Sequence, residues 1–145
     1  MDEKVPVSFL NISKAIKEFP FPTTDLVIGI GSGGIVPASL VAHQLGVPLL
    51  IASVNYRDEK NQPKGEAPVF LSEFIVDFPN ECHILLVDDV SVTGKTLELV
   101  RGMLKNYRTF TFVLKGKADL VLFPAIKSCV QWPWHANTKS MIYEG

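Results

Sequence analysis

Apolar residues recur at Phe9, Ile12, Ala15, Ile16 and Phe19. Steps of three and four mark a helix with one buried face. The pattern predicts a helix over residues 8–19, ended by Pro20 and Pro22. Residues 25–30 (DLVIGI) form a short apolar run closed by glycine, the mark of a buried strand. A glycine turn follows at 31–34. Pro37 then suits the first turn of a helix, where its missing N–H is not needed. That helix runs to Leu45 and is capped by Gly46. Residues 49–54 make the next strand. Residues 57–68 (RDEKNQPKGEAP) are dominated by charged and amide side chains and predict a mobile loop.

A third buried strand covers 83–87 (HILLV) and delivers Asp88 and Asp89 at its end. Leu97, Val100 and Leu104 lie on one stripe of a predicted helix over 93–106. Two more strands are expected at 110–114 and 120–123, and an irregular tail from Lys127. Strands alternating with helices imply an α/β domain with a mainly parallel sheet. Ligands of such sheets bind outside the carboxyl ends of the strands. Three polar turns fall there, so one shared ligand site is expected along that edge.

Composition narrows the function classes. The chain has 145 residues, which suits a single domain over 1–145. Lys and Arg number 14 and Asp and Glu 15, for a net charge of −1. That balance argues against nucleic acid as the main partner, because DNA binding calls for a basic face. A small anionic ligand needs only a local site and stays open. The two cysteines, Cys82 and Cys129, are too few for a disulfide scaffold or zinc cluster. A reduced, cytoplasmic setting is expected. The charged start shows no secretory apolar core, and no run reaches the ~20 apolar residues of a membrane span.

The most informative segment runs Ile84-Leu85-Leu86-Val87-Asp88-Asp89-Val90-Ser91-Val92-Thr93-Gly94-Lys95-Thr96. The turn at its end offers backbone N–H groups, two hydroxyls and a helix N-terminus, which together suit a phosphate. The carboxylates suit sugar hydroxyls, or magnesium and its waters. A Walker A loop would need glycine five positions before Gly94, where Asp89 stands. A plain strand and capped helix would leave two adjacent carboxylates at a buried strand end without a role.

The segment resembles the phosphoribosyl pyrophosphate (PRPP) motif of type I phosphoribosyltransferases: four apolar residues, two acids and a Thr-Gly-x-Thr loop. The glycine turn formally fits G-x-G-x-x-G from Gly29 to Gly34, but no acid ends the second strand as a dinucleotide site requires. Extended to Gly46-Val47-Pro48, the turn and its helix resemble the pyrophosphate loop of bacterial xanthine–guanine phosphoribosyltransferases. Cys129-Val130-Gln131-Trp132-Pro133-Trp134 resembles their tail ending in Pro-Trp. The likeness spans about residues 8–134.

The resemblance implies an α/β type I phosphoribosyltransferase fold, with a mainly parallel twisted sheet flanked by helices. It places a flexible loop at 57–68 and a base-binding hood and tail at about 115–145. The implied reaction transfers the ribose 5-phosphate of PRPP to a nucleobase, a 6-oxopurine, and releases pyrophosphate. Thr93, Gly94, Lys95 and Thr96 would hold the 5′-phosphate. Gly31, Ser32, Gly33 and Gly34 would receive pyrophosphate. Asp88 and Asp89 would be the catalytic pair, meeting ribose hydroxyls and the Mg2+ cofactor, directly or through water. Lys115, Val130 and Trp132 would address the base. A homo-oligomer, dimer or tetramer, is implied by the same analogy.

Three residues depart from the pattern. Ser32 stands where those enzymes commonly carry arginine, which predicts weaker pyrophosphate binding. Val92 replaces an aspartate poised near N7 of the purine, and valine cannot transfer a proton. Cys129 falls where a base-stacking tryptophan is expected. These departures keep open a PRPP- or nucleotide-binding protein without turnover, or a transferase for a non-purine base. His43, His83 and His135 share no metal-ligand spacing and are expected in core or surface roles.

Overall fold

The computed structural model describes residues 4–55, 69–70 and 74–135. The predicted loop at 57–68 and the part of the tail beyond His135 lie outside the described residues.

Among the described residues, eleven elements follow one another: β1 (Val5–Pro6), α1 (Phe9–Glu18), β2 (Leu26–Gly31), α2 (Ile35–Leu45), β3 (Leu49–Asn55), β4 (Val69–Phe70), β5 (His83–Ser91), α3 (Lys95–Gly102), β6 (Arg108–Gly116), β7 (Leu120–Val121) and β8 (Val130–Gln131). Six strands form one sheet in the order β4-β3-β2-β5-β6-β7. Only β4, at the edge, is antiparallel to its neighbour. The remaining two strands, β1 and β8, pair in parallel as a separate ribbon, Val5 with Val130 and Pro6 with Gln131.

Local chemistry explains the helix ends. The Ser8 hydroxyl accepts the Asn11 N–H at 3.0 Å and starts α1. Gly46 ends α2 at φ 67°, a left-handed conformation that favours glycine.

Side-chain alternation along the strands sorts the core into two layers. Val27, Leu85, Val87, Phe112 and Leu114 face α1, α2 and Trp132 on one side. Leu26, Ile28, Ile84, Leu86 and Val113 face Leu97, Val100 and Leu104 on the other.

Three sequence expectations are corrected. The acidic pair lies within β5, not at its end, because β6 continues beside it. Val90 pairs with Lys115 and Ser91 with Gly116, so the ladder extends past the carboxylates. The third helix is shorter than predicted: it starts at Lys95 and stops at Gly102. The tail is not wholly irregular, since β8 forms within it.

Candidate functional site

A cleft of about 710 Å³ opens over the carboxyl ends of β2 and β5. Its size suits a small ligand. Three segments form its floor, each for a local reason.

The first is the glycine turn between β2 and α2. A Cβ on Gly34 would lie 2.6 Å from the Val87 carbonyl and 2.7 Å from that of Ile30. Only a residue without a side chain lets the turn sit this close to β5. A Cβ on Gly33 would lie 2.6 Å from Oδ2 of Asp89 and 2.8 Å from its Oδ1. The turn therefore presses directly on the second carboxylate. Gly31, Ser32 and Gly33 line the cleft, and Gly34 is buried against β2 and β5.

The second is the acidic pair. Oδ1 of Asp88 accepts the Asp89 N–H at 2.8 Å, and Oδ1 of Asp89 accepts the Val90 N–H at 2.7 Å. Asp89 is buried, while Asp88 keeps part of its surface open to the cleft. Close packing around the Asp88 carboxyl, and then the negative charge of Asp89, push it well above the usual carboxylate range. Two neighbouring carboxyls of this kind do not readily hold two charges alone. They invite a cation or hydroxyl donors.

The third is the Thr-Gly-Lys-Thr turn. Gly94 has φ 85° with nothing within 4 Å of a Cβ position, so backbone conformation alone calls for glycine. The Lys95 N–H donates to Oγ1 of Thr93 at 3.2 Å. Beyond Lys95, the N–H groups of the first turn of α3 have no carbonyl partner within the helix and suit an anion. Thr93, Gly94 and Thr96 line the cleft, whereas Lys95 does not.

The ribbon of β1 and β8 roofs the cleft, and we call it the hood. Lys115, Val130 and Trp132 all border the cavity, as does Cys129. Trp132 is 2% exposed and packs into the core layer of α1 and α2. It also stacks flat on Trp134, with ring centroids 5.6 Å apart. The cleft thus brings together every predicted site residue except Gly34 and Lys95.

Val92 is 69% exposed at its wall. Lys4, Ser91 and His135 also border it and were not foreseen. Ser91 follows from the added length of β5. Lys4 and His135 reach the cleft through the pairing of β1 with β8, which no sequence period signals. Among the described residues, no group of three or more His, Cys, Asp or Glu gathers into a metal cluster.

This fold and this convergence of turns are those of a phosphoribosyl transferase domain. Residues 10–112 match the Phosphoribosyl transferase domain family, and the chain belongs to it. Over 110 residues it is 38% identical to the xanthine-guanine phosphoribosyltransferase of Cereibacter sphaeroides, covering 74% of this chain and 64% of that protein. The match therefore spans less than two thirds of that relative. The purine phosphoribosyltransferase structure from Pyrococcus horikoshii shares 26% identity and a TM-score of 0.73, covering 92% of this chain and 95% of its own. A Neisseria gonorrhoeae protein solved with ppGpp bound has the same fold, with a TM-score of 0.72 at 21% identity over 97% of this chain and 94% of that one.

Proposed function

We propose that the chain transfers the ribose 5-phosphate of PRPP to a 6-oxopurine base, releasing pyrophosphate and forming a nucleoside 5′-monophosphate. The observation that carries this reading is the meeting of three segments at one cleft: the glycine turn, the acidic pair and the anion cradle of α3. One molecule with a phosphate, a ribose and a pyrophosphate fits all three. The names of the Cereibacter and Pyrococcus relatives support a purine as acceptor.

In this reading the N-terminus of α3, with Thr93 and Thr96, holds the 5′-phosphate and fixes the sugar. Gly31, Ser32 and Gly33 let the backbone approach the pyrophosphate. Asp88 and Asp89 face the ribose hydroxyls and stabilise positive charge growing at C1′ as the leaving group departs. Lys115, Val130 and the edge of Trp132 place the base for in-line attack. The residues present fit magnesium, which takes one or two carboxylates and keeps its other positions for water and substrate phosphates. Asp88 and Asp89 would hold it, and when bound it supplies charge neutralisation for the leaving pyrophosphate. A cytoplasmic setting and a homodimer or homotetramer belong to the same proposal.

Val92 favours a second reading. An exposed valine at the cleft wall gives the base no proton acceptor there, which suits a non-purine base or binding without turnover. Pyrophosphate release with PRPP, magnesium and a panel of bases separates these cases. Turnover with guanine, xanthine or hypoxanthine supports the first. A PRPP-induced rise in melting temperature without turnover supports binding alone. The double variant Asp88→Asn, Asp89→Asn should abolish turnover. If turnover and PRPP binding survive that change, the acidic pair is not the sugar site.

A further inference from the structure

Nε2 of His135 lies 3.3 Å from Oδ2 of Asp89. The other oxygen of that carboxylate is already engaged by the Val90 N–H, and Gly33 closes in from the glycine turn. The backbone of His135 is anchored, while its side chain is half exposed at the cleft. Its backbone N–H donates to the Trp132 carbonyl at 3.1 Å, and its carbonyl accepts from Nε2 of Gln131 at 2.6 Å. Its ring meets Trp134 edge-on, 6.3 Å between centroids, and Trp134 stacks on the buried Trp132. A continuous set of contacts therefore runs from the hydrophobic core, through two tryptophans, to one carboxylate of the cleft.

We propose that His135 is a positioning residue for Asp89. Its ring N–H holds Oδ2, fixing the carboxylate in the orientation the sugar requires. The inference deepens the transferase reading and rests on it. A side chain that acts only through Asp89 should influence the PRPP side of the reaction and leave base affinity alone.

The test uses His135→Phe, which keeps a flat ring without a donor, and His135→Gln, which keeps a donor at similar reach. With the intact chain and saturating magnesium, His135→Phe should lower kcat/KM for PRPP about tenfold, as losing an orienting partner typically does. The KM for the base should stay within about twofold, and His135→Gln should recover most of the loss. Equal behaviour of the two variants overturns the proposal, as does a change confined to the KM for the base.

A second measurement needs no turnover. In 15N-histidine NMR spectra of the ligand-free protein, Asp89→Asn should move the His135 Nε2 signal and leave His43 and His83 unmoved. An unmoved His135 signal overturns the proposal directly. If the wild type neither binds PRPP nor turns over, the transferase reading fails, and the NMR result still decides whether His135 holds Asp89.

Discussion

Gly33 and Gly34 are adjacent, yet the same substitution should harm the protein in opposite ways. Gly34 has φ −87° and ψ −1°, a conformation alanine adopts freely, and Gly33 is not among the glycines with positive φ. Backbone strain therefore does not confuse the comparison. A Cβ on Gly34 would stand 2.6 and 2.7 Å from two carbonyl oxygens of the sheet. Neither oxygen can swing aside without breaking a strand. Overpacking of this kind costs about 1–3 kcal/mol, and against rigid backbone we expect the upper end. For a chain of this length that is a fall in Tm of roughly 9 °C.

A Cβ on Gly33 would meet the Asp89 carboxylate at 2.6–2.9 Å. This neighbour is the end of a side chain and can rotate. Restoring ordinary contact needs a shift of about 0.8 Å, close to the ~1 Å displacement that can cost 10²-fold in rate. Gly33→Ala should thus melt within about 3 °C of the wild type while kcat/KM for PRPP falls by roughly two orders of magnitude. Thermal melts and pyrophosphate-release kinetics on the two variants are the assay. Full activity in Gly33→Ala, or an unchanged Tm in Gly34→Ala, would refute the reasoning.

Two further outcomes test the fold around the site. Trp132→Ala should destabilise the protein by about 3–5 kcal/mol in urea titrations, because the ring is core before it is cleft wall; a loss below ~1 kcal/mol would show that its packing is not needed. Burial pushes the Asp119 carboxyl up, but the Thr111 N–H and then Arg101 outweigh it, so the carboxyl sits below its usual value. A lowered value gives stability above the unfolded value near ~3.9 that is lost as pH falls through the folded one. Asp119→Asn should therefore cost about 1 kcal/mol of stability or less at pH 7 given its exposure, a fall in Tm of about 3 °C or less, with the gap closing below about pH 4.

The large elements were legible because each carries its own period. Helix α1 shows its stripe, and the buried strands β2 and β5 show unbroken apolar runs. Asp88, Asp89 and the Thr-Gly-Lys-Thr turn were legible because one continuous segment holds them. What escaped depends on partners distant in sequence. The extension of β5 through Ser91 is decided by the length of β6. The burial of Trp132 and the reach of His135 are decided by a two-residue pairing between the chain's two ends. A tryptophan beside a proline looks the same in sequence whether it faces a base or a core.

That pairing sets the order in which the cleft is completed. Pairing β1 with β8 in an unfolded chain would close a loop of about 125 residues, an entropic penalty of roughly 4 kcal/mol, so the ribbon forms after the sheet between them has folded. Two ladder residues supply about 1 kcal/mol per hydrogen bond and cannot offset this unaided. The burial of Trp132 must carry the balance. The sheet and its phosphate cradle can therefore settle early, while the roof waits for β1 and β8 to meet across them. In the finished protein the amides of this ribbon should exchange with solvent ahead of those of the cleft floor.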